Sequence, residues 1–170
     1  TTTSGTEIFQ RLHKGEYDIA ITGSQPPKSG FVSERFFHDP LDLICPVAYG
    51  IKGPISLSDF KSLPLIIRTH KSNVMQLFLK ALQKINLDLS QLNVVMQVYG
   101  NSDVLQAVSL GSGVGFVTRS LLCGSSEYSN VVPVQIKKLN VDRYIFLVRK
   151  ESHQLRTGAK FFWEYAMGTD

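Results

Sequence analysis

Residues 7–27, EIFQRLHKGEYDIAITGSQPP, decide how this chain is read. Ile8, Phe9 and Leu12 fall at helical spacing, Ser4 and Glu7 fit the Ser-x-x-Glu capping box, and Gly15 can take the left-handed conformation that ends a helix. The helix is therefore expected to stop at the glycine. Ile19, Ala20 and Ile21 then form a short apolar run of the kind a central parallel strand needs, because helices cover such a strand on both faces. Thr22, Gly23, Ser24 and Gln25 follow, with small hydroxyls and backbone donors at the strand's carboxyl end. Open α/β sheets take their ligands there, and Pro26-Pro27 stiffens the exit.

Outward from this stretch, residues 31–37 and 41–48 read as extended, with Pro40 and Pro46 limiting where ladder hydrogen bonds can run. Residues 56–62 read as one helical turn capped by Ser56 and Asp59, and residues 65–68 as the next strand. The polar loop Thr69, His70, Lys71, Ser72, Asn73 leads into a helix with Met75, Phe78, Leu79, Leu82 and Ile85 on one stripe. That stripe is core packing rather than a cofactor box. Residues 94–98 read as an alternating strand, 101–103 as a helix start, Gly111 as that helix's end and 114–117 as a short buried strand. Residues 121–130 read as irregular or weakly helical. Residues 131–136 and 144–148 are the last strands, and a final helix over 155–167 is expected to dock through Ala159, Phe162 and Ala166.

A chain of 170 residues, 43% hydrophobic and 19% charged, holds enough apolar surface for one sizeable core or two small ones, which excludes a disordered segment. The balance of 18 basic against 14 acidic residues is a mild excess with no long basic run, so it argues against direct nucleic-acid binding. Lys137-Lys138, the densest basic pair, fits a solvated strand or turn. Cys45 and Cys123 stand far apart with no CxxC, which indicates neither a zinc site nor a disulfide framework and is compatible with a reducing cytoplasm. No stretch reaches the length of apolar sequence that a membrane span requires.

Catalytic readings find little support. His13, His38, His70 and His153 are scattered, and His13 falls on the exposed side of a helix end, where it complements the dipole. Asp39 and Asp42 could pair, but a surface turn at Pro40 is the commoner meaning. There is no Gly-x-Ser-x-Gly elbow. Gly111-Ser112-Gly113-Val114-Gly115 follows a helix and opens a strand, the reverse of a dinucleotide fingerprint; it reads as a helix stop followed by tight helix–strand packing. Three polar loops precede helices: 1–6, 69–73 and 100–103. Each has two readings, plain capping by Ser, Thr or Asn, or an anion site made of unpaired N–H groups and the helix dipole. Several such loops converging on one cleft would make a pocket.

Five stretches occur in a shared order: Gly15-Glu16-Tyr17-Asp18-Ile19-Ala20-Ile21 after a helix; 41–47 followed by Ile55-Ser56-Leu57-Ser58-Asp59-Phe60; Leu63-Pro64-Leu65-Ile66; 107–117 with its glycines; and 143–150 before a helix carrying Phe161-Phe162. Together they span almost the whole chain and resemble the effector-binding domain of LysR-type transcriptional regulators. The resemblance implies an α/β type 2 periplasmic-binding-protein fold, two Rossmann-like lobes joined by two crossover segments with a small molecule between them. It implies residues 1–23 with 147–170 in lobe I and residues 24–146 in lobe II. The family's domain opens with a further strand and helix, so lobe I is expected to be incomplete at its N-terminus.

The implied function is ligand sensing, without catalysis, metal or cofactor. Carried over position by position, the effector site comprises Thr22, Gly23 and Ser24 at the crossover, Thr69 and Ser72 before the long helix, and Asn101 with Ser102 beyond the next strand. Thr3 and Ser4 of the first loop join them. Their donors suit an anion such as a carboxylate or sulfate. The resemblance further implies a cytoplasmic homodimer or tetramer that reaches DNA only through a helix-turn-helix domain absent from this chain, with no membrane partner. Two rivals share the architecture: a transporter's solute-binding protein, and a dehydratase-like enzyme, of whose Thr-Arg-Phe element Thr118-Arg119-Ser120 matches two residues.

Overall fold

The structure is a computed structural model that describes residues 5–123 and 128–168. Two compact units divide the chain, Thr1–His38 with Tyr144–Asp170 and Asp39–Arg143.

The second unit is built on strands β3 (Leu41–Pro46), β4 (Leu65–Arg68), β5 (Val94–Val98), β6 (Val114–Thr118) and β7 (Val131–Val134). They form one sheet in the order β5-β4-β6-β3-β7, with β4 parallel to both neighbours and β3 antiparallel to both of its own. Side chains alternate across it with the period of two that strand geometry imposes. Leu41, Leu43, Cys45, Leu65, Ile67, Val114 and Phe116 enter one core with Phe60 of α2 (Leu57–Ser62) and Met75, Phe78 and Leu82 of α3 (Asn73–Lys84). Ile44, Ile66 and Val117 enter the other, against Val104, Leu105 and Val108 of α4 (Asn101–Ser109), and a single helical turn, α5 (Arg119–Leu122), follows β6. Coverage on both faces explains why β4 and β6 read as unbroken apolar runs.

Local signals hold here. Ser56 Oγ accepts from Asp59 N at 3.1 Å and Asp59 Oδ2 accepts from Ser56 N at 3.1 Å, the capping box that starts α2. Gly111, at φ +81°, ends α4. The following glycines are packing residues: a Cβ on Gly113 would lie 2.4 Å from the Pro64 carbonyl oxygen, and one on Gly115 2.5 Å from Val104 Cγ1. Two readings need correction. Residues 47–49 form a 3-10 turn rather than more of β3. β5 shows no alternation; Val94, Val95 and Met96 are all exposed, because it is the outermost strand of its sheet.

The first unit holds α1 (Gly5–His13), β1 (Ile19–Thr22), β2 (Phe31–His38), β8 (Tyr144–Lys150) and α6 (Thr157–Met167). Its strands run in the order β1-β8-β2, antiparallel throughout. α1 buries Leu12 completely and stops before Gly15, at φ +73°, as expected. The capping box involving Ser4 lies outside the described residues. The expectation of a central parallel β1 is overturned: among the described residues β1 bonds only β8, antiparallel, and Ile21 is 51% exposed. Three apolar residues in a row give no direction to a partner strand. α6 turns Ala159, Trp163 and Ala166 inward instead of Phe162, which is exposed, and the Arg149 guanidinium of β8 lies 5.2 Å from the Trp163 ring centroid.

The units divide at 38/39 and 143/144, whereas the sequence reading divided them at 23/24 and 146/147. β2 is hydrogen-bonded along β8 from Phe31↔Lys150 to His38↔Tyr144, and this ladder keeps both strands in the first unit.

Candidate functional site

In the second unit, β4 and β5 run parallel and end together, Thr69 N donating to the Val98 carbonyl at 3.0 Å. The helices that follow them, α3 and α4, therefore begin at one end of the sheet. Ser72 is 8% exposed, and its Oγ accepts from Met75 N at 3.4 Å, which makes it the N-cap of α3. The Thr69 carbonyl accepts from Ser72 N at 2.9 Å and closes the loop as a turn. At α4, Asp103 Oδ2 accepts from Gly100 N at 2.7 Å.

Between these two starts lies Arg68, the last residue of β4. Its Nε and Nη2 donate to the Tyr99 carbonyl at 3.0 and 2.6 Å, and its Nη1 donates to Asn101 Oδ1 at 3.0 Å. Burial pushes the Arg68 pKa down; the Asp103 carboxylate opposes this and the Arg143 guanidinium adds to it. Asn101 thus holds a fixed cation, with Thr69 next to it in the chain and Ser72 capping the helix beyond, while Ser102 stands exposed in the first turn of α4.

In the first unit, Thr22 is 6% exposed and its Oγ1 accepts from Ser24 N at 3.1 Å, a tight polar turn at the end of β1 with Gly23 inside it. The Ser24 side chain presses on the start of α1, where a Cβ on Gly5 would lie 2.3 Å from Ser24 Oγ. Ser24 therefore meets the beginning of α1. Thr3 and Ser4 lie outside the described residues. An open groove of ≈ 600 Å³ runs elsewhere on this unit, along Thr6, Phe9, His13, Lys14 and Phe31.

The surface-turn reading of Asp39 is wrong. Asp39 is 2% exposed, ion-paired to Arg143, and accepts from Ser120 N at 2.9 Å and Ser120 Oγ at 3.0 Å. Asp42 takes a two-pronged bond from Arg119, both distances 2.8 Å. Sequence reasoning missed the Asp39–Arg143 pair because no spacing rule links residues 104 positions apart. In the first unit, Asp18 accepts from Arg156 Nε at 2.6 Å and lies 3.0 Å from His153 Nε2; these contacts, the Arg156 bond first, hold its pKa below the ordinary value. Among the described residues no group of His, Cys, Asp and Glu could hold a metal ion, and no helix is long and apolar enough to cross a membrane.

The chain matches the model of the LysR substrate binding domain over residues 1–169. It is 30% identical over 167 residues to an uncharacterized HTH-type transcriptional regulator of Methanocaldococcus jannaschii, covering 97% of this chain and 56% of that protein. The chain therefore spans little more than half the length of that relative. Among solved structures, the regulatory domain of CcmR from Synechocystis PCC6803, in complex with 2-PG, superposes with a TM-score of 0.83 at 19% identity, covering 98% of this chain and 80% of that one. The effector binding domain of QuiR, in complex with shikimate, gives 0.77 at 19% identity, covering 98% of this chain and 78% of that one. These likenesses extend to the fold, that of type 2 periplasmic binding proteins. With the family match running almost end to end, the chain belongs to the LysR-type transcriptional regulators, as their effector-binding domain.

Proposed function

We propose that this domain senses a small anionic effector, and that Arg68 is the anchor for the anion. The observation that carries this reading is the bonding of Arg68, whose described hydrogen bonds all go to neutral oxygens, leaving its charge for a ligand. The starts of α3 and α4 beside it add N–H groups and dipole in the same sense. Thr69 and Asn101, with Thr22, Gly23 and Ser24, are the neutral groups assigned to orienting the ligand. Thr3, Ser4, Ser72 and Ser102 belong to the same proposal as flanking donors. That the CcmR and QuiR domains are in complex with 2-PG and shikimate supports a small molecule as the ligand.

The effector binds the closed arrangement better than the open one and so favours it by the difference in affinity. Coupling of about 1–3 kcal/mol is typical of such switches. Closure changes packing in a homodimer or tetramer, which controls a helix-turn-helix domain outside this chain. The exposed apolar edge of β5 supports a subunit contact there.

Thermal melts of wild type and Arg68→Gln against sulfate, 2-PG and shikimate test this reading. Wild type is expected to gain melting temperature with at least one of them, as any ligand selective for the folded state requires, and Arg68→Gln to lose that gain. Equal gains in both proteins, or none in either, would overturn it.

A further inference from the structure

The chain passes between its units after His38 and again before Tyr144. Asp39 and Arg143 are thus the first and last residues of the second unit, and they are bonded twice. Asp39 N donates to the Arg143 carbonyl at 2.9 Å, and Arg143 Nη1 donates to Asp39 Oδ2. The strand pairing carries on at either side, with His38 opposite Tyr144 and Leu41 opposite Val141. Both passages therefore run as one two-stranded ribbon, and the ion pair sits at its crossing point. Ser120 fixes the same carboxylate through N and Oγ, which ties the ribbon to the turn that follows β6.

This pair differs from an ordinary stabilising bridge. It is buried, with side-chain exposures of 2% for Asp39 and 16% for Arg143. Taking two charges out of water offsets most of their attraction, so apolar residues of similar volume serve stability as well or better. It also engages only one arm of the guanidinium: Arg143 Nε is buried with no hydrogen-bond partner among the described residues. The exposed Arg119–Asp42 bridge three residues along uses two arms. A buried, one-armed charge pair contributes direction rather than stability, and it can be severed.

We propose that Asp39 and Arg143 form a hinge lock, a positioning pair that ties the two chain passages to each other and to Ser120 and so limits how far the units turn. The inference rests on the reading that the units move, and goes beyond it by naming the restraint. The lock is in electrical reach of the candidate site, since the charge of Arg143 acts on Arg68.

Spin labels on Lys80→Cys of α3 and Lys160→Cys of α6, in a Cys123→Ser background, report the spread of distances between the units without any ligand. Asp39→Asn is expected to broaden that spread at least twofold, and Ser120→Ala to broaden it less, while the cooperative melt persists. Should Asp39→Asn not fold, Asp39→Leu with Arg143→Met removes both charges together and is expected to be equally broad. Folded variants with the wild-type spread would overturn the lock, because a merely structural pair lowers the melting temperature and leaves the spread unchanged. The two proposals fail separately: broadening without any anion response in the melts removes the effector reading alone, and an anion response without broadening removes the lock alone.

Discussion

The two units of this chain bury their sheets to different degrees. In the second, alternate residues of β3, β4 and β6 are sealed between helices on both faces. In the first, burial is confined to a few residues, among them Leu12, Ile145, Leu147 and Val148, while Ile21, Phe37, Phe161 and Tyr165 are exposed. Polar ties take over there: Asp18 to His153 and Arg156, Glu7 to Arg11, and Lys150 Nζ to the His13 carbonyl at 2.8 Å. One unit is held by close packing and the other by surface bonds whose strength follows pH and salt.

The largest contrast comes from truncating the same residue type in each unit. Phe60, 1% exposed, packs edge-on to Phe116 with ring centroids 6.0 Å apart. Phe60→Ala should cost about 3–5 kcal/mol, by transfer and cavity together. Phe161 is 67% exposed, and Phe161→Ala should change stability by less than about 0.5 kcal/mol. Chemical denaturation of the two variants measures both, and similar losses would mean that the first unit is packed on α6 after all.

Glycine replacement gives a contrast of sign. Gly115→Ala drives a methyl group into Val104 and toward the Ile66 carbonyl, 3.2 Å away, and should destabilise by about 1–3 kcal/mol. Gly158, in the first turn of α6, has nothing within 4 Å of an added Cβ. Gly158→Ala should stabilise by about 0.5 kcal/mol through helix propensity and a less flexible unfolded chain. Melting curves of the pair should move in opposite directions, and a shared direction would deny the difference in packing.

The same contrast marks what was legible in advance. The second unit was readable because dense burial leaves a continuous pattern: unbroken runs in β4 and β6, a helical stripe from Met75 to Leu82, and Gly113 and Gly115 where a side chain would collide. In the first unit the pattern thins. Ile19 to Ile21 told of a strand but not of its antiparallel partner, and α6 has enough apolar residues on several faces that Phe162 was chosen over Trp163. Of the candidate site, the polar loops could be read from Ser, Thr and Asn before helices. What organises them could not: the direction of Arg68 is set by the Tyr99 carbonyl, 31 residues on, and the partner of Asp39 by how the chain crosses itself.

A smaller effect separates the units by pH. The folded-state pKa of Asp18 lies below the ordinary value, so its contribution is complete above about pH 4 and is lost as pH falls through the lowered folded value. Wild type should therefore lose stability in that acid range. Asp18→Asn should melt lower at neutral pH and show a shallower acid decline; an unchanged decline would remove Asp18 from the ties of the first unit.

The smallest effect on folding is expected at β5, where the second unit, otherwise the better sealed, leaves apolar residues in the open. Val95, the second residue of that strand, is 50% exposed, so Val95→Lys removes no core contact and should shift stability by less than about 0.5 kcal/mol. If this edge is where subunits meet, the added charge has to be desolvated at each contact, and association should weaken while the melt hardly moves. Sedimentation of wild type and Val95→Lys over a range of concentrations separates the two quantities. A variant that associates like wild type would leave the exposed edge without a role in assembly, and the contrast between the units would then be one of packing alone.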